Sequence, residues 1–171
     1  MGIVFPEGTQ DFPGKACQIQ FNTLTTQSTI NPGSQFIHSG LGVTITPTSS
    51  SNKILVIAKL EASSGNNNYI TCCRLYRGTT HVSGATSPAN GNRPGTWATH
   101  GQQDYNNYGR QDLIGAYIDS PNTTSATTYR VYVQDLRDNG NIQINRGHYD
   151  GGDGSTPVGQ SWIIAIELED S

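Results

Sequence analysis

Apolar and polar residues alternate with a period of two along several short stretches of this chain, which is the spacing of half-buried β-strands. The clearest stretches are residues 41–46 and 53–61, which flank a polar connection. Pro47 ends the first of them because it cannot donate to a β-ladder, and the Ser-rich run 49–52 supplies turn residues. We therefore predict a central hairpin, around which the other strands are arranged.

The second strand of this hairpin is apolar on both faces at its start. One face carries a continuous row, which consists of Ile54, Val56, Ala58 and Leu60. Leu55 and Ile57 lie on the opposite face, before Lys59. A strand with two apolar faces is covered on both sides, so we expect either a second sheet or a neighbouring subunit to lie against each face.

Strand signals recur along the rest of the chain, and no stretch has the apolar period of an amphipathic helix. Asp138-Asn139-Gly140 is a turn signal that predicts a second hairpin, between residues 127–135 and 141–146. The Thr-rich stretch 23–33 is predicted to be a loop. Further strands are predicted at 17–22, 35–38, 69–77, 81–83, around Trp97, 112–119 and 161–168. This pattern predicts an all-β fold, an antiparallel β-sandwich or jelly roll, over residues 16–171.

Residues 1–15 are predicted to be an irregular N-terminal arm because Pro and Gly recur in them. The arm carries three consecutive apolar residues, Ile3, Val4 and Phe5, which stay exposed unless they dock on something. Two interpretations remain open, a frayed terminus and an anchor to a larger assembly.

The composition is polar but weakly charged. Of the 171 residues, 13% are charged, against about 25% in typical soluble domains. Ser, Thr, Asn and Gln together number 59, and the formal net charge is -3. Because no basic field is present to hold phosphates, we expect no nucleic-acid partner. No apolar run is long enough to span a membrane and no signal-peptide pattern opens the chain, so we expect cytoplasmic synthesis without membrane insertion.

The Cys and His residues, which often take part in catalysis or bind metals, do not occur at the spacings of known catalytic or metal-binding motifs. Cys72 and Cys73 would point to opposite faces of a strand, so they cannot readily pair, and at least one is expected to be a small buried hydrophobe. Neither a metal-ligand spacing, nor a nucleophile motif, nor a phosphate-binding glycine loop is present. We therefore predict a protein that is not an enzyme and that uses no metal or cofactor. The four histidines are His38, His81, His100 and His148.

Two long polar loops are candidate ligand-binding segments. The first, residues 84–109, carries candidate binding residues Arg93, Trp97, His100, Tyr105 and Tyr108. Aromatic faces stack on sugar rings and polar side chains bind their hydroxyl groups, so this loop suits a neutral glycan. The alternative is that Trp97 and one Tyr are core or subunit-interface residues, because large aromatic side chains are usually mostly buried.

The second candidate loop, residues 147–158, is rich in glycine. Its candidate ligand-binding residues are His148, Tyr149 and Asp150. Asp150 and Asp153 offer oxygen ligands that suit Ca²⁺, but their spacing does not match an EF-hand loop. A plain glycine-rich turn is the alternative interpretation.

Several short segments from the central hairpin onward resemble, in order and spacing, a family of short tail-fibre-like virion proteins from tailed phages, many of them phages of aquatic bacteria. The first matching segments are Val43-Thr44-Ile45-Thr46-Pro47 and Ser50-Ser51-Asn52-Lys53-Ile54-Leu55-Val56. Next come Leu75-Tyr76-Arg77-Gly78-Thr79-Thr80, Ile118-Asp119-Ser120-Pro121 and Ser125-Ala126-Thr127-Thr128-Tyr129. The last are Ile144-Asn145-Arg146 and the apolar strand 163–167.

This resemblance implies a bacteriophage structural protein, a homotrimeric β-sandwich on the surface of the virion, synthesised in the host cytoplasm. Its implied partners are other virion proteins of the tail or capsid. The first functional hypothesis is a tail-fibre-type module for host attachment through a surface glycan. Because only about fifteen irregular residues precede the sandwich here, we expect no shaft of the kind that longer members carry before it. The second hypothesis is therefore a capsid decoration or cement protein that uses residues 1–15 as its anchor.

Overall fold

The computed structural model describes residues 15–64, 69–102, 110–136, 140–147 and 158–170. Within these ranges the chain forms β-strands and one short 3-10 turn, Ser83–Ala85. The strands are β1 (Ala16–Leu24), β2 (Ser28–Ile30), β3 (Ile37–Ile45), β4 (Lys53–Ser64), β5 (Tyr69–Arg77), β6 (Thr80–His81), β7 (Ala98–Gln102), β8 (Gln111–Asp119), β9 (Thr127–Asp135), β10 (Ile142–Ile144) and β11 (Ser161–Leu168). None of the helical structure in the described ranges has the length and hydrophobicity needed to cross a membrane.

The strands form two antiparallel sheets. The first sheet has the order β1-β11-β4-β10-β2, and β8 pairs with β4 on its other side. The second sheet has the order β3-β9-β5-β6, and β7 pairs with β5. The prediction of an all-β fold, an antiparallel β-sandwich, is confirmed.

The core lies between the two sheets and is made by the inward rows of their strands. The row predicted for β4 is fully buried, with Leu60 at 0% and Ala58 at 2% exposure. Cys73 belongs to this core, whereas Cys72 is buried outside it. Burial raises the pKa of each of these two thiols to about 12, so both are inert, protonated side chains. The expectation of at least one buried cysteine is therefore confirmed.

The prediction that residues 41–46 and 53–61 form a hairpin is wrong. β3 pairs with β9 in the second sheet, whereas β4 pairs with β11 and β8 in the first. Both strands carry a buried apolar row, and these rows meet across the core instead of lying side by side. The polar connection therefore crosses from one sheet to the other.

The predicted hairpin between residues 127–135 and 141–146 is also wrong. β9 lies between β3 and β5, whereas β10 pairs with β2 and β4. All three β10 side chains are buried, which requires neighbours on both faces. On the face opposite the core, Gln143 Oε1 accepts hydrogen bonds from Thr29 Oγ1 (2.6 Å) and Arg146 Nη2 (2.8 Å). Thr29 belongs to β2, which lies inside the stretch predicted to be a loop.

Candidate functional site

The outer face of the second sheet carries a row of half-buried aromatic rings. Tyr76 of β5 and Tyr132 of β9 stack, with their ring centroids 3.9 Å apart and an interplanar angle of 21°. The row continues at both ends, because His38 lies 5.5 Å from Tyr132 and His81 lies 5.5 Å from Tyr76. Such a row offers flat apolar surfaces edged by polar atoms.

A cavity of about 340 Å³ lies at the His81 end of this row. Arg74 and His81 line it from the sheet, and the loop after β6 closes it. The loop residues that line the cavity are Ser83, Thr86, Ser87, Pro88, Ala89 and Gly95. We call this cavity, together with Tyr76 and Tyr132, the aromatic groove. Part of the polar tract predicted to bind a ligand, residues 84–109, thus forms one wall of it.

The wall of the groove is held in place by several contacts. Arg74 Nε donates a hydrogen bond to the carbonyl oxygen of Gly95 (2.8 Å), and its guanidinium lies 4.0 Å from the centroid of the Phe36 ring. A Cβ at position 95 would overlap the backbone of Ser87, so only glycine allows this approach. At the tip of the loop, Asn90 and Arg93 exchange two backbone hydrogen bonds of 3.1 Å. The loop is therefore a fixed wall.

His38 and His81, the two histidines at the ends of the aromatic row, favour the neutral form. Burial lowers the pKa of His81, and the positive charge of Arg74 lowers it further. Burial also lowers the pKa of His38, with a smaller contribution from Arg130, although a backbone hydrogen bond to Leu41 opposes the shift. A neutral imidazole presents one donor and one acceptor, which suits neutral hydroxyl groups.

The structure describes three of the residues predicted to bind a ligand, and it does not bring all three together. Arg93 is exposed at the tip of the loop. Trp97 packs against Gly115, and its Nε1 donates to the carbonyl oxygen of Ala116 (3.3 Å), so this side chain fills space beside the core. His100 lies on β7 opposite Thr71, and burial lowers its pKa.

The other predicted residues lie outside the described ranges. They are Tyr105 and Tyr108 of the first loop, His148, Tyr149 and Asp150 of the second loop, and Ile3, Val4 and Phe5 of the arm. Their assigned roles stay predictions. Among the described residues, no three His, Cys, Asp or Glu side chains are grouped as metal ligands would be.

Arg110, which follows residues 103–109, and Gly159, which follows residues 148–157, both lie beside Glu61. Glu61 of β4 is buried, and it forms ion pairs with Arg110 and, at 3.7 Å, with Lys59. A polar cavity of about 350 Å³ lies beside it, lined by Glu61, Arg110, Gln111 and Asp112. The residues that follow these two segments thus contact the same buried carboxylate.

Asn145 fixes the base of the second loop. It is fully buried and has a φ of 59°, and its Nδ2 donates to the carbonyl oxygens of Leu24 (2.7 Å) and Thr26 (3.1 Å). Its Oδ1 accepts from Ser161 Oγ (2.6 Å), and its carbonyl oxygen accepts from the amide of Gly159 (3.0 Å). The two ends of the loop are thus joined by one buried hydrogen-bond network.

Sequence analysis missed the aromatic groove. The signal was present, because Arg74 and Tyr76 of β5 alternate with buried residues, as do Arg130 and Tyr132 of β9. Two neighbouring strands that both present Arg and Tyr outward define a polar aromatic surface. Their adjacency could be known only from the pairing of β5 with β9.

No protein-family model matches this chain, and no curated protein sequence matches it either. Among solved structures, this chain is similar to a chain in the structure of infectious bursal disease virus Gt strain. The two share 11% sequence identity with a TM-score of 0.45, and the match covers 98% of this chain and 42% of the viral chain. It is also similar to a chain in the structure of T=1 particles derived from infectious bursal virus. These two share 10% sequence identity with a TM-score of 0.45, and the match covers 100% of this chain and 41% of the chain in the particle. The chain spans about two fifths of the length of these structures. At these identities and TM-scores the similarity assigns no function to it.

Proposed function

We propose that this chain is a non-enzymatic structural protein on the surface of a phage virion, where it forms a homotrimer and recognises a host-surface glycan. The observation that carries the recognition role is the aromatic groove. The resemblance of the segments in residues 41–168 to tail-fibre-like proteins supports the location on a virion.

The chemistry of the groove suits a neutral sugar. Tyr76 and Tyr132 present ring surface for the apolar face of a pyranose, while His81 and Arg74 supply hydrogen-bonding groups at one end of the row. The cavity, at about 340 Å³, is at the small end of the range for ligand sites, about 300–1,000 Å³. We expect it to hold a terminal sugar, with Arg93 at the exposed tip of the loop contacting the next sugar of the glycan.

Two measurements test this proposal. Antibody labelling of virions should place the protein on the tail, and a glycan array should identify a neutral ligand. Tyr76→Ala should weaken binding of that ligand by about tenfold, which corresponds to about 1.4 kcal/mol of lost stacking. Thr44→Ala is the matched control, because Thr44 is exposed and hydrogen-bonds to Thr128 (2.8 Å) away from the groove.

Each outcome is informative. If Tyr76→Ala stays folded and binds the glycan as tightly as the wild type, the groove is not the binding site. Label spread over the head, without glycan binding, would replace host recognition with the alternative function, a capsid decoration protein anchored by residues 1–15.

A further inference from the structure

The outer face of the first sheet is apolar across four neighbouring strands, β1, β11, β4 and β8. One row of side chains crosses it in register: Ile19, Ile166, Leu55 and Ile118. The next row, two residues further along each strand, is Phe21, Ile164, Ile57 and Ala116. This face is the second apolar side that the sequence of β4 predicted.

Several side chains of this face are exposed in the part of the chain that the structure describes. Ile19 is 61% exposed, Phe21 is 58% exposed and Ile114 is 59% exposed. Exposed apolar patches of this kind on a soluble protein mark contact surfaces. Four strands at about 4.8 Å spacing and five residues at about 3.3 Å give a projected area on the order of 300 Å².

β1 cannot turn its apolar row inward. Its polar row already faces β3, where Gln18 Nε2 donates to the carbonyl oxygen of Thr46 (2.6 Å) and Asn22 Nδ2 donates to that of Gly42 (2.7 Å). These bonds satisfy backbone groups next to the edge of the second sheet. The strand is therefore oriented with its polar residues toward the domain and Ile19 and Phe21 toward the outside.

The charge at the end of the face favours a second copy of the same chain. The last row contains Trp162, Lys59 and Ile114, and Lys59 Nζ lies 3.3 Å from Oδ1 of the neighbouring Asp112. Because the rim carries both signs side by side, Lys59 of one copy can lie against Asp112 of the next, so the face is complementary to itself. Its apolar area, on the order of 300 Å² in projection, would be the centre of an interface that buries about 800 Å² per partner, with the polar rim supplying the rest.

We propose that this apolar face is the contact surface between copies of this chain. The proposal rests on the homotrimer proposed above and adds the residues that make it. Each copy would bury the Ile19 and Phe21 rows against its neighbours, with the Lys59 and Asp112 pair at the rim. The aromatic groove, on the opposite sheet, would then face outward.

Native mass spectrometry of the full chain tests the surface. The wild type should be a trimer, and Phe21→Lys or Ile114→Lys should shift it to monomer, because the first places a charge among the apolar rows and the second places another positive charge beside Lys59. Val158→Lys is the matched control, because Val158 is 65% exposed and lies on none of the strands β1, β11, β4 and β8. It should remain a trimer.

Hydroxyl-radical footprinting of the wild type adds a second readout that does not depend on the folding of a variant. Ile19, Phe21 and Trp162 should be protected relative to Val158.

A trimer with these residues reactive, or a trimer that survives both lysine variants, would overturn the proposed face but leave the homotrimer intact. A wild-type monomer would overturn both proposals. If these residues were protected in that monomer, they would be covered by another part of the same chain.

Discussion

At the scale of single residues, Glu167 shows how a buried charge joins distant parts of this fold. Its side chain is 0% exposed, and Oε1 accepts hydrogen bonds from Thr48 N (2.6 Å), Thr48 Oγ1 (2.8 Å) and Asn52 Nδ2 (2.7 Å). Oε2 accepts from Gln18 Nε2 (2.6 Å). Burial opposes ionisation, but these hydrogen bonds outweigh it and lower the pKa to about 2. One carboxylate thus fixes β1, β11 and the connection between the sheets.

We predict that Glu167→Gln destabilises the protein by about 3 kcal/mol, because an amide replaces two charged acceptors with one neutral acceptor and one donor that faces other donors. The measurement is the free energy of unfolding in urea at pH 7. Glu169→Gln is the control, since Glu169 is exposed two residues away, and it should cost less than about 0.5 kcal/mol. Equal losses in the two variants would show that Glu167 has no special role.

At the scale of strands, the sequence predicted where strands lie better than which strands pair. β5 and β9 begin and end at the predicted residues. β9 alternates buried and half-buried residues along its whole length, whereas β5 does so only from Cys73 to Tyr76. An apolar row shows only that a face is buried, however, and both sheets of a sandwich bury one face in the same core. The pairing of β3 with β9, across a long sequence separation, therefore could not be read from local pattern.

The candidate site was predictable only in part, for the same reason. Residues 84–109 were predicted to be a ligand-binding loop because they are a long polar tract, and part of that tract, residues 86–95, lines the cavity of the aromatic groove. The aromatic part of the groove depends on neighbours in space, Tyr76 and Tyr132, which are far apart in sequence. Trp97 was predicted to bind a ligand or to be buried, and its position over Gly115 could be learned only from the packing.

Trp97, which precedes β7, packs tightly against Gly115 of β8, and substitutions can test this contact. The Trp97 ring lies directly on Gly115, where a Cβ would overlap it. We predict that Gly115→Ala destabilises the fold by about 1–3 kcal/mol and shifts the tryptophan fluorescence, because the indole must move. In a Trp97→Leu background the same glycine substitution should cost clearly less. If the two substitutions are additive, the ring and the glycine are not in contact.

At the scale of the whole molecule, three histidines and Glu167 all lower the stability of the fold on acidification. Burial lowers the pKa of His38, His81 and His100 below the usual 6.5. The unfolded chain therefore binds more protons as the pH falls through 6.5, and stability is lost there. For Glu167, whose folded pKa is about 2 against the usual 4.5, the stabilisation is present above 4.5 and is lost as the pH falls toward 2.

We therefore predict that the free energy of unfolding falls in two stages on acidification, the first below about pH 6.5 and the second below about pH 4.5. Urea denaturation at closely spaced pH values measures both stages. His81→Gln should make the first stage shallower and leave the second unchanged, because a glutamine cannot take up the proton. Glu167→Gln should do the reverse. A stability that stays level from pH 7.5 to pH 5.5 would contradict the histidine contribution, and it would mean that these rings take up protons as readily in the folded chain as in the unfolded one.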